Sequence, residues 1–466
     1  MASEVNKILP LLTLASLLKR KRGQIEGWSI VQCHGCFDLL HYGHIEHLKQ
    51  AKAMGGYLVV TVTADQFVNK GPGRPTFTQE QRATHLAALE MVDYVAIVDG
   101  PTAIPAIGAL RPQIYCKGPD YEGRKDGVFA QEKARVEEFG GQVVFTRGKT
   151  MSSSQLINEH IMPQGMRDFV ALAKQHDVLG WMDKLAGIKA LVLGEAIVDE
   201  YVFVTPEGKS AKESIVCFRE LRAEKWPGGA QAVAAHLENL CGSSRLFTGG
   251  AESILKRRYV LEPFGTKLFH VVDRARLTKC WDISLGSLVE SDMVVVADFG
   301  HGFFAPPSIM RIAEASPFLA LTVQSNSLNW GFNLLDKWPR ADYVACDEDE
   351  LRLVCRDKTG DLAALAQAKR KCLGARLLAV TRGHLGCLMA HDDGVATCPP
   401  MADRVVDTLG AGDAFFAASS VFAYLGAPPE VVALAGSVAA AIEVGQMGNV
   451  PLDGRVFRKF LEGVLK

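Results

Sequence analysis

Two stretches of the 466-residue chain combine residue types and spacings that could do chemistry. The first is His34-Gly35-Cys36-Phe37-Asp38-Leu39-Leu40-His41-Tyr42-Gly43-His44. An apolar run ends in glycine, a turn follows, and a helix starts near His41. Two imidazoles three residues apart at a helix N-terminus face the same way. Backbone N–H groups without intrahelical partners lie beside them, so the place suits a polyphosphate. A nucleotidyl transfer onto a phosphate acceptor needs no protein nucleophile. It needs alignment, and neutralisation of the charge that builds toward pyrophosphate release. His41 and His44 are the donors for that, and Gly43 lets a nucleotide approach the backbone.

The second stretch is Asp407-Thr408-Leu409-Gly410-Ala411-Gly412-Asp413. Gly410, Ala411 and Gly412 open a helix and leave free N–H groups able to hold a transferring phosphoryl group. Asp413 is placed to accept a proton from an attacking hydroxyl. Glycine-rich helix starts are common, and Asp407-Thr408 in front makes this one more specific.

The elements that must position these groups read as alternating strand and helix. Strands are expected at 29–33, 57–63, 94–98, 113–116 and 142–145, with helices at 45–54, 79–90 and 127–139. That alternation argues for a parallel sheet with helices on both faces and ligands at the strands' carboxyl ends. Lys70 to Pro75 and Lys117 to Tyr121 put cations on loops after strands, and Thr150 to Gln155 is a hydroxyl-rich turn. A helical connector is expected at 162–186. A second α/β pattern then begins, with strands at 190–194, 293–297, 319–324, 343–345 and 377–381 and helices at 411–424 and 429–443. The expected organisation is an N-terminal helical segment (1–27), a Rossmann-like domain (28–161), a linker helix (162–186) and a larger α/β domain (187–466).

Composition excludes several classes. Hydrophobic content is 48%, charged content 22% and net charge −1, so nothing argues for binding nucleic acid or a membrane surface. No apolar run reaches the roughly 18–20 residues of a membrane helix. The basic cluster Lys19 to Arg22 follows an apolar segment, whereas a secretory signal puts charge first; it reads as a solvated helix end, and the compartment is taken as cytoplasmic. Eleven scattered cysteines read as reduced thiols. Cys33 and Cys36 form C-x-x-C, but no second pair with metal spacing lies nearby, so no metal or redox use is assigned. His47 and His85 sit among helical neighbours without a motif and read as surface or packing residues.

The first stretch resembles the signature of the cytidylyltransferase-like nucleotidyltransferases. Together with the loops at 70–75, 117–121 and 150–157 it is similar to the adenylyltransferase domain of the bifunctional ADP-heptose synthases. That resemblance implies that His41 and His44 bind the triphosphate, with Lys117 in the catalytic set. Gly35, Cys36 and Phe37 would line the nucleotide, and Lys70, Arg74, Lys117, Ser152 and Ser153 would contact phosphates. The second stretch resembles a signature of the ribokinase-like (PfkB) sugar kinases. The similarity implies that Asp413 is the base and that Gly410, Ala411 and Gly412 form the anion hole. Glu195, Asp199, Gly228 and Gly229 would bind the sugar, Asp347 and Glu350 would serve magnesium through water, and Thr381, Gly383 and Gly386 would form the nucleotide loop.

The resemblance implies a bifunctional enzyme with its domains in reversed order. One domain would phosphorylate a sugar or sugar phosphate with ATP and Mg2+. The other would join a nucleotidyl group, AMP from ATP, to a sugar 1-phosphate of the heptose type, CTP being the alternative donor. Asp347 stands where the kinases usually have asparagine, and Gln231 follows the glycine pair. Between Gly250 and Lys256 the chain lacks a helix and strand that relatives have, so a shortened lid is expected. That leaves open a transferase whose kinase fold serves dimerisation or sensing, and a nucleotide-binding scaffold. A homodimer is compatible with either. His-x-Gly-His also occurs in class I aminoacyl-tRNA synthetases, but the domain is short and no basic RNA-binding module follows. His301, after the strand ending at Asp298, is a turn histidine that could touch substrate.

Overall fold

The computed structural model describes residues 6–22, 28–68, 74–123, 127–147, 162–249, 253–273, 285–326, 329–402 and 404–465. The chain divides into two units after Met162.

In the first unit, runs of β-branched and aromatic residues form β1 (Ile30–Gly35), β2 (Tyr57–Thr63), β3 (Tyr94–Val98), β4 (Ile114–Lys117) and β5 (Gln142–Phe145). Their order is β3-β2-β1-β4-β5 and every pairing is parallel. The order reverses between β1 and β4, so the crevice beyond their carboxyl ends is the topological switch point. The helices are α1 (Leu11–Lys21), α2 (Tyr42–Ala53), α3 (Gln79–Ala87), α4 (Ile104–Leu110) and α5 (Gly127–Glu138). Leu14 and Leu18 of α1 pack with Ile30, Val59 and Ala96 on one face of the sheet. Leu48 and Ala51 of α2 pack with Val31, Cys33 and Cys116 in a separate apolar cluster. Thr78 caps α3 through a box with Gln81. Part of the basic cluster is structural, for Lys21 Nζ donates to the Tyr94 hydroxyl at 2.9 Å.

The second unit begins with α6 (Gln164–Ala173) and α7 (Val178–Asp183). The sequence suggested one connecting helix here; instead two helices fold as part of this unit, because α6 has an apolar face (Met166, Phe169, Val170, Ala173) that needs cover. Then follow β6 (Lys189–Gly194), β7 (Ala196–Lys209), β8 (Val216–Gly229), α8 (Ala230–Glu238), β9 (Ser243–Phe247), β10 (Ile254–Leu261) and β11 (Thr266–Asp273). Next come α9 (Leu285–Val289), β12 (Met293–Asp298), α10 (Pro306–Ala315), β13 (Leu319–Val323), β14 (Tyr343–Asp347), α11 (Glu348–Cys355) and α12 (Leu362–Cys372). The chain closes with β15 (Leu377–Thr381), β16 (Cys387–His391), β17 (Gly394–Cys398), α13 (Ala411–Tyr424), α14 (Pro429–Val444) and α15 (Gly454–Val464).

Eight strands make the main sheet, in the order β17-β16-β15-β14-β13-β12-β6-β9. Only the β15–β16 and β16–β17 pairings are antiparallel. A second sheet, β11-β10-β7-β8, stands apart from it. This sheet stands where the lid was expected; β7 and β8 each run 14 residues, and β10 pairs with β7 in parallel along eight residues. What the chain economises on is the connection, since only residues 248–253 separate β9 from β10. No helix of ordinary length fits in that span. Asp199, expected at the end of the first strand, lies on lid strand β7.

Candidate functional site

At the switch point of the first unit, β1 ends on Gly35 and Phe37 turns the chain with φ 50°. His41 is the N-cap of α2, in extended conformation, and its carbonyl accepts from the His44 and Ile45 N–H groups at 2.9 and 3.2 Å. The two imidazoles stack, their centroids 3.9 Å apart and their planes 19° from parallel. The Phe37 ring meets His44 edge-on at 5.2 Å. Neither ring nitrogen of His41 has a hydrogen-bond partner among the described residues. Burial lowers its pKa, so the ring stands neutral near pH 7 with one N–H to donate and one lone pair to accept.

Lys117 is the last residue of β4, across the switch point from Gly35. Its ammonium is buried, 3.2 Å from the Glu132 carboxylate and 4.5 Å from the centre of the Tyr121 ring. Glu132 also accepts from the Tyr115 hydroxyl and the Ala103 N–H, both at 3.0 Å. The cation expected on a loop is therefore fixed from below. Arg74 is buried too, which pulls its pKa down against the opposing pull of Asp38 and Cys36. Gly35, Cys36 and Phe37 form the turn leading to α2. Lys70, Ser152 and Ser153 lie outside the described residues.

Sequence reasoning missed Arg82. It is fully buried on α3 and donates to the carbonyls of Cys36 (2.5 Å), Thr63 (2.7 Å) and Phe77 (3.0 Å) and to Asp65 at 2.7 Å. One guanidinium thus ties together the ends of β1 and β2, and its position among the buried residues of an amphipathic helix was the available signal. His47 is also more than a surface or packing residue, since its Nδ1 lies 2.9 Å from Thr146 Oγ1. His85 does pack, edge-on to Phe77.

In the second unit the predicted groups converge between the lid and the carboxyl edge of the main sheet. Gly228 and Gly229 end β8 opposite Ile197 and Ala196 of β7. A Cβ on Gly228 would strike the Asp199 carboxylate, and Gly229 has φ 58° with the Glu195 carbonyl 2.8 Å from where its Cβ would lie. The glycine pair is therefore the condition for Asp199 to reach in. Asp199 is already paired, with Arg258 Nη2 of β10 at 2.7 Å. Lys256, two residues earlier on the same strand, acts electrostatically on Asp199, Asp413 and Glu195; burial lowers its pKa. Neither cation was predicted.

Glu195, expected to bind sugar, accepts the Phe299 and His301 N–H groups at 3.0 Å each. It shapes the turn after β12, and burial together with Asp298 pushes it up to about 7. Asp298 is spent on Trp338, Lys337 and Asn333. Gly410, with φ 79°, caps α13. A Cβ there would lie 2.7 Å from Asn449 Oδ1 and 2.9 Å from Glu443 Oε1. Asp413 is buried on the first turn of α13, with Gln324 Nε2 3.3 Å from Oδ1. Burial first, then the Asp199 carboxylate, push it up to about 7 against Lys256 and Gln324. Asp407 accepts from Tyr201 Oη of β7 and Lys267 Nζ of β11, each at 2.5 Å, and from the Leu409 N–H at 3.0 Å.

Asp347 and Glu350 form a capping box on α11: each side chain accepts the other's N–H, at 2.7 and 3.0 Å. Glu350 also accepts the Ser325 N–H at 3.0 Å. Burial, with Asp347 and Asp413 adding negative charge, pushes Glu350 up to about 8. A cation relieves that repulsion, so the donor set fits magnesium held through water on the remaining lone pairs. Thr381 is the register partner of Asp347 at the same sheet edge. Gly383 (φ 54°) and Gly386 (φ 84°) bracket the turn that follows, and Arg382 Nε donates to Glu348 at 3.0 Å.

Comparison with known proteins agrees with this division. Residues 33–158 match the cytidylyltransferase-like family and residues 309–452 match the pfkB family of carbohydrate kinases. The chain therefore joins a nucleotidyltransferase-like domain to a ribokinase-like one, in that order. The bifunctional protein HldE of Geobacter sulfurreducens is 40% identical over 139 residues, and that of Helicobacter pylori 42% over 138. Each match covers 29% of this chain and only 27% and 28% of those relatives' own length. A phosphofructokinase-2 mutant from Escherichia coli superposes with a TM-score of 0.50 at 15% identity, covering 60% of this chain and all of that one, which shows the fold of the second unit.

Proposed function

We propose that the chain is a bifunctional enzyme of nucleotide-sugar synthesis, with a nucleotidyltransferase site in the first unit and a sugar-phosphate kinase site in the second. The observation that carries the reading is buried His41 stacked on half-buried His44 beside the Gly35–His41 turn, since a buried imidazole such as His41, lacking a hydrogen-bond partner among the described residues, is a donor waiting for a ligand. At this site an oxygen of the sugar 1-phosphate attacks the α-phosphorus of the triphosphate, a new P–O bond forms, and pyrophosphate leaves with the old bond's electron pair. His41 and His44 donate to the phosphate oxygens as charge builds, and Arg74 and Lys117 supply positive potential. We assign ATP as the donor and a heptose-type 1-phosphate as the acceptor, with CTP as the competing donor.

At the kinase site a substrate hydroxyl gives its proton to Asp413 and attacks the γ-phosphorus of ATP, releasing ADP. The N–H groups at Gly410–Gly412 receive the transferring group. Asp347 and Glu350 would hold magnesium through water, which would supply positive charge to the phosphates. Thr381, Gly383 and Gly386 line the nucleotide. Lys256 and Arg258 bring two cations to the sugar pocket beside Asp199, and they support a sugar that already carries a phosphate. The lid's four long strands support an active kinase over a purely structural one.

The test crosses ATP, CTP, GTP and UTP with heptose, hexose, pentose and glycerol phosphates and records pyrophosphate and ADP separately. Pyrophosphate with one sugar 1-phosphate, and ADP with a sugar phosphate, are the expected results. Absence of pyrophosphate with every pair overturns the transferase assignment, and absence of ADP overturns the kinase assignment.

A further inference from the structure

Behind the phosphate crevice of the first unit lies a group of side chains that neither proposed reaction uses. β1 and β4 are parallel neighbours with Cys33 opposite Cys116 in register. Both thiols therefore project from the same face of the sheet, and both are fully buried in the apolar cluster that includes Leu48 and Ala51 of α2. His47 of α2 joins them: the two sulfurs and a ring nitrogen of His47 all lie within 4.8 Å of one another. Met54 Sδ is a further soft donor, 4.0 Å from Cys116 Sγ.

The imidazole is prepared for ligation. His47 Nδ1 lies 2.9 Å from Thr146 Oγ1, which is also 3.4 Å from the Lys117 carbonyl. In the tautomer protonated at Nδ1 this contact holds the ring and Nε2 carries the lone pair. A histidine whose other nitrogen is anchored by an outer partner is the usual arrangement at a metal.

We propose that Cys33, Cys116 and His47 bind a zinc ion, with the Met54 thioether closing the fourth position. Two thiols, an imidazole and a thioether are a soft donor set that disfavours magnesium or calcium. Zinc–sulfur bonds of about 2.3 Å and zinc–nitrogen bonds of about 2.0 Å put tetrahedral ligand atoms roughly 3.5–3.8 Å apart, so side-chain adjustment closes the site. Both thiols lose a proton on binding, and the two thiolates neutralise the ion, which suits an apolar surrounding. Without an ion the neighbouring Cys116 thiol and burial hold the Cys33 pKa well above the ordinary thiol range, against Lys117, so the metal itself must displace the protons. The ion would not touch substrate. It would pin α2 to β1 and β4, each of which also carries a group of the phosphate crevice: His44 three residues before His47, Gly35 two after Cys33, and Lys117 next to Cys116.

The test uses the full chain purified under reducing conditions, with metal content measured after exhaustive dialysis. A single zinc per chain is expected, and cobalt(II) in its place should show thiolate charge-transfer absorption and intense tetrahedral visible bands. Cys116→Ser and His47→Gln, each checked for folding by circular dichroism, should lose the zinc, whereas Cys217→Ser on the exposed lid should keep it. The proposal fails if folded wild-type protein binds neither zinc nor cobalt, if His47→Gln and Cys116→Ser retain the ion, or if a Cys33–Cys116 disulfide forms in its place. Preferential retention of copper(I) overturns the assignment to zinc. None of these readouts depends on transferase or kinase activity.

Discussion

Arg258 Nη2 lies 2.7 Å from Asp199 Oδ1, so the carboxylate for which Gly228 makes room is already held by a cation of β10. With Lys256 beside it, the pocket offers two positive groups. Arg258→Met is expected to lower kcat/KM for a phosphorylated sugar by about 30-fold or more, the scale of removing one partner of a buried charge pair. Activity on the corresponding unphosphorylated sugar should change far less, and steady-state kinetics on the two substrates decides the matter.

Asp413 must be ionised to take a proton. Because burial and Asp199 push it up to about 7, the ADP-forming rate should rise with pH through about 7 and then level off. Asp413→Asn should lower the rate by about 10²–10⁴-fold. A flat profile between pH 5.5 and 8.5 would contradict its role as base.

His41→Ala should reduce pyrophosphate release by about 10²–10³-fold, the cost of one donor aimed at developing charge. ADP formation in the other unit should be unaffected. Equal loss of both activities would point to a folding defect instead.

Stability should also depend on pH. Glu195, Glu350, Asp413 and Glu443 are all raised, chiefly by burial, to between about 7 and about 8. The folded second unit therefore holds protons that the unfolded chain has released. The stability contributed by these four groups is full below the ordinary carboxylate range and falls as pH rises from about 4.5 to 8, by up to about 1.4 kcal/mol per pH unit for each titrating group, whereas the lowered Asp407, Glu348 and Glu200 act in the opposite sense at acid pH. Thermal melts across that range should show the fall, and magnesium with ATP should offset it by stabilising ionised Glu350.

Arg82→Met should destabilise the first unit by about 2–4 kcal/mol, because three carbonyls lose a buried donor and Asp65 loses its cation, keeping only the Gln79 N–H. Urea titration of the wild type and the variant measures it.

Much of the architecture was legible because buried parallel strands are apolar on both faces. The spans 57–63, 94–98, 142–145 and 377–381 are strands as expected, and 411–424 is a helix. The lid was not, because it is half exposed. The stretch Arg219-Glu220-Leu221-Arg222-Ala223-Glu224-Lys225 of β8 has no continuous inward face and takes its strand form from pairing with β7. The histidine pair and the Gly-Ala-Gly-Asp turn were readable as local spacing. Lys256 and Arg258 were not, since their meaning comes from Asp199, more than fifty residues earlier. The same holds for His47, whose partners Cys33 and Cys116 approach it only through the strand order.

Asp407 has a consequence for how the second unit handles two ligands. Through one carboxylate it clasps Tyr201 and Lys267 of the lid and the backbone of the loop that opens α13. Lifting these strands would break the contacts that also hold that loop. On the proposed reading, a ligand under the strands and a phosphoryl group at the start of α13 are expected to be linked, each changing the other's affinity by the same factor.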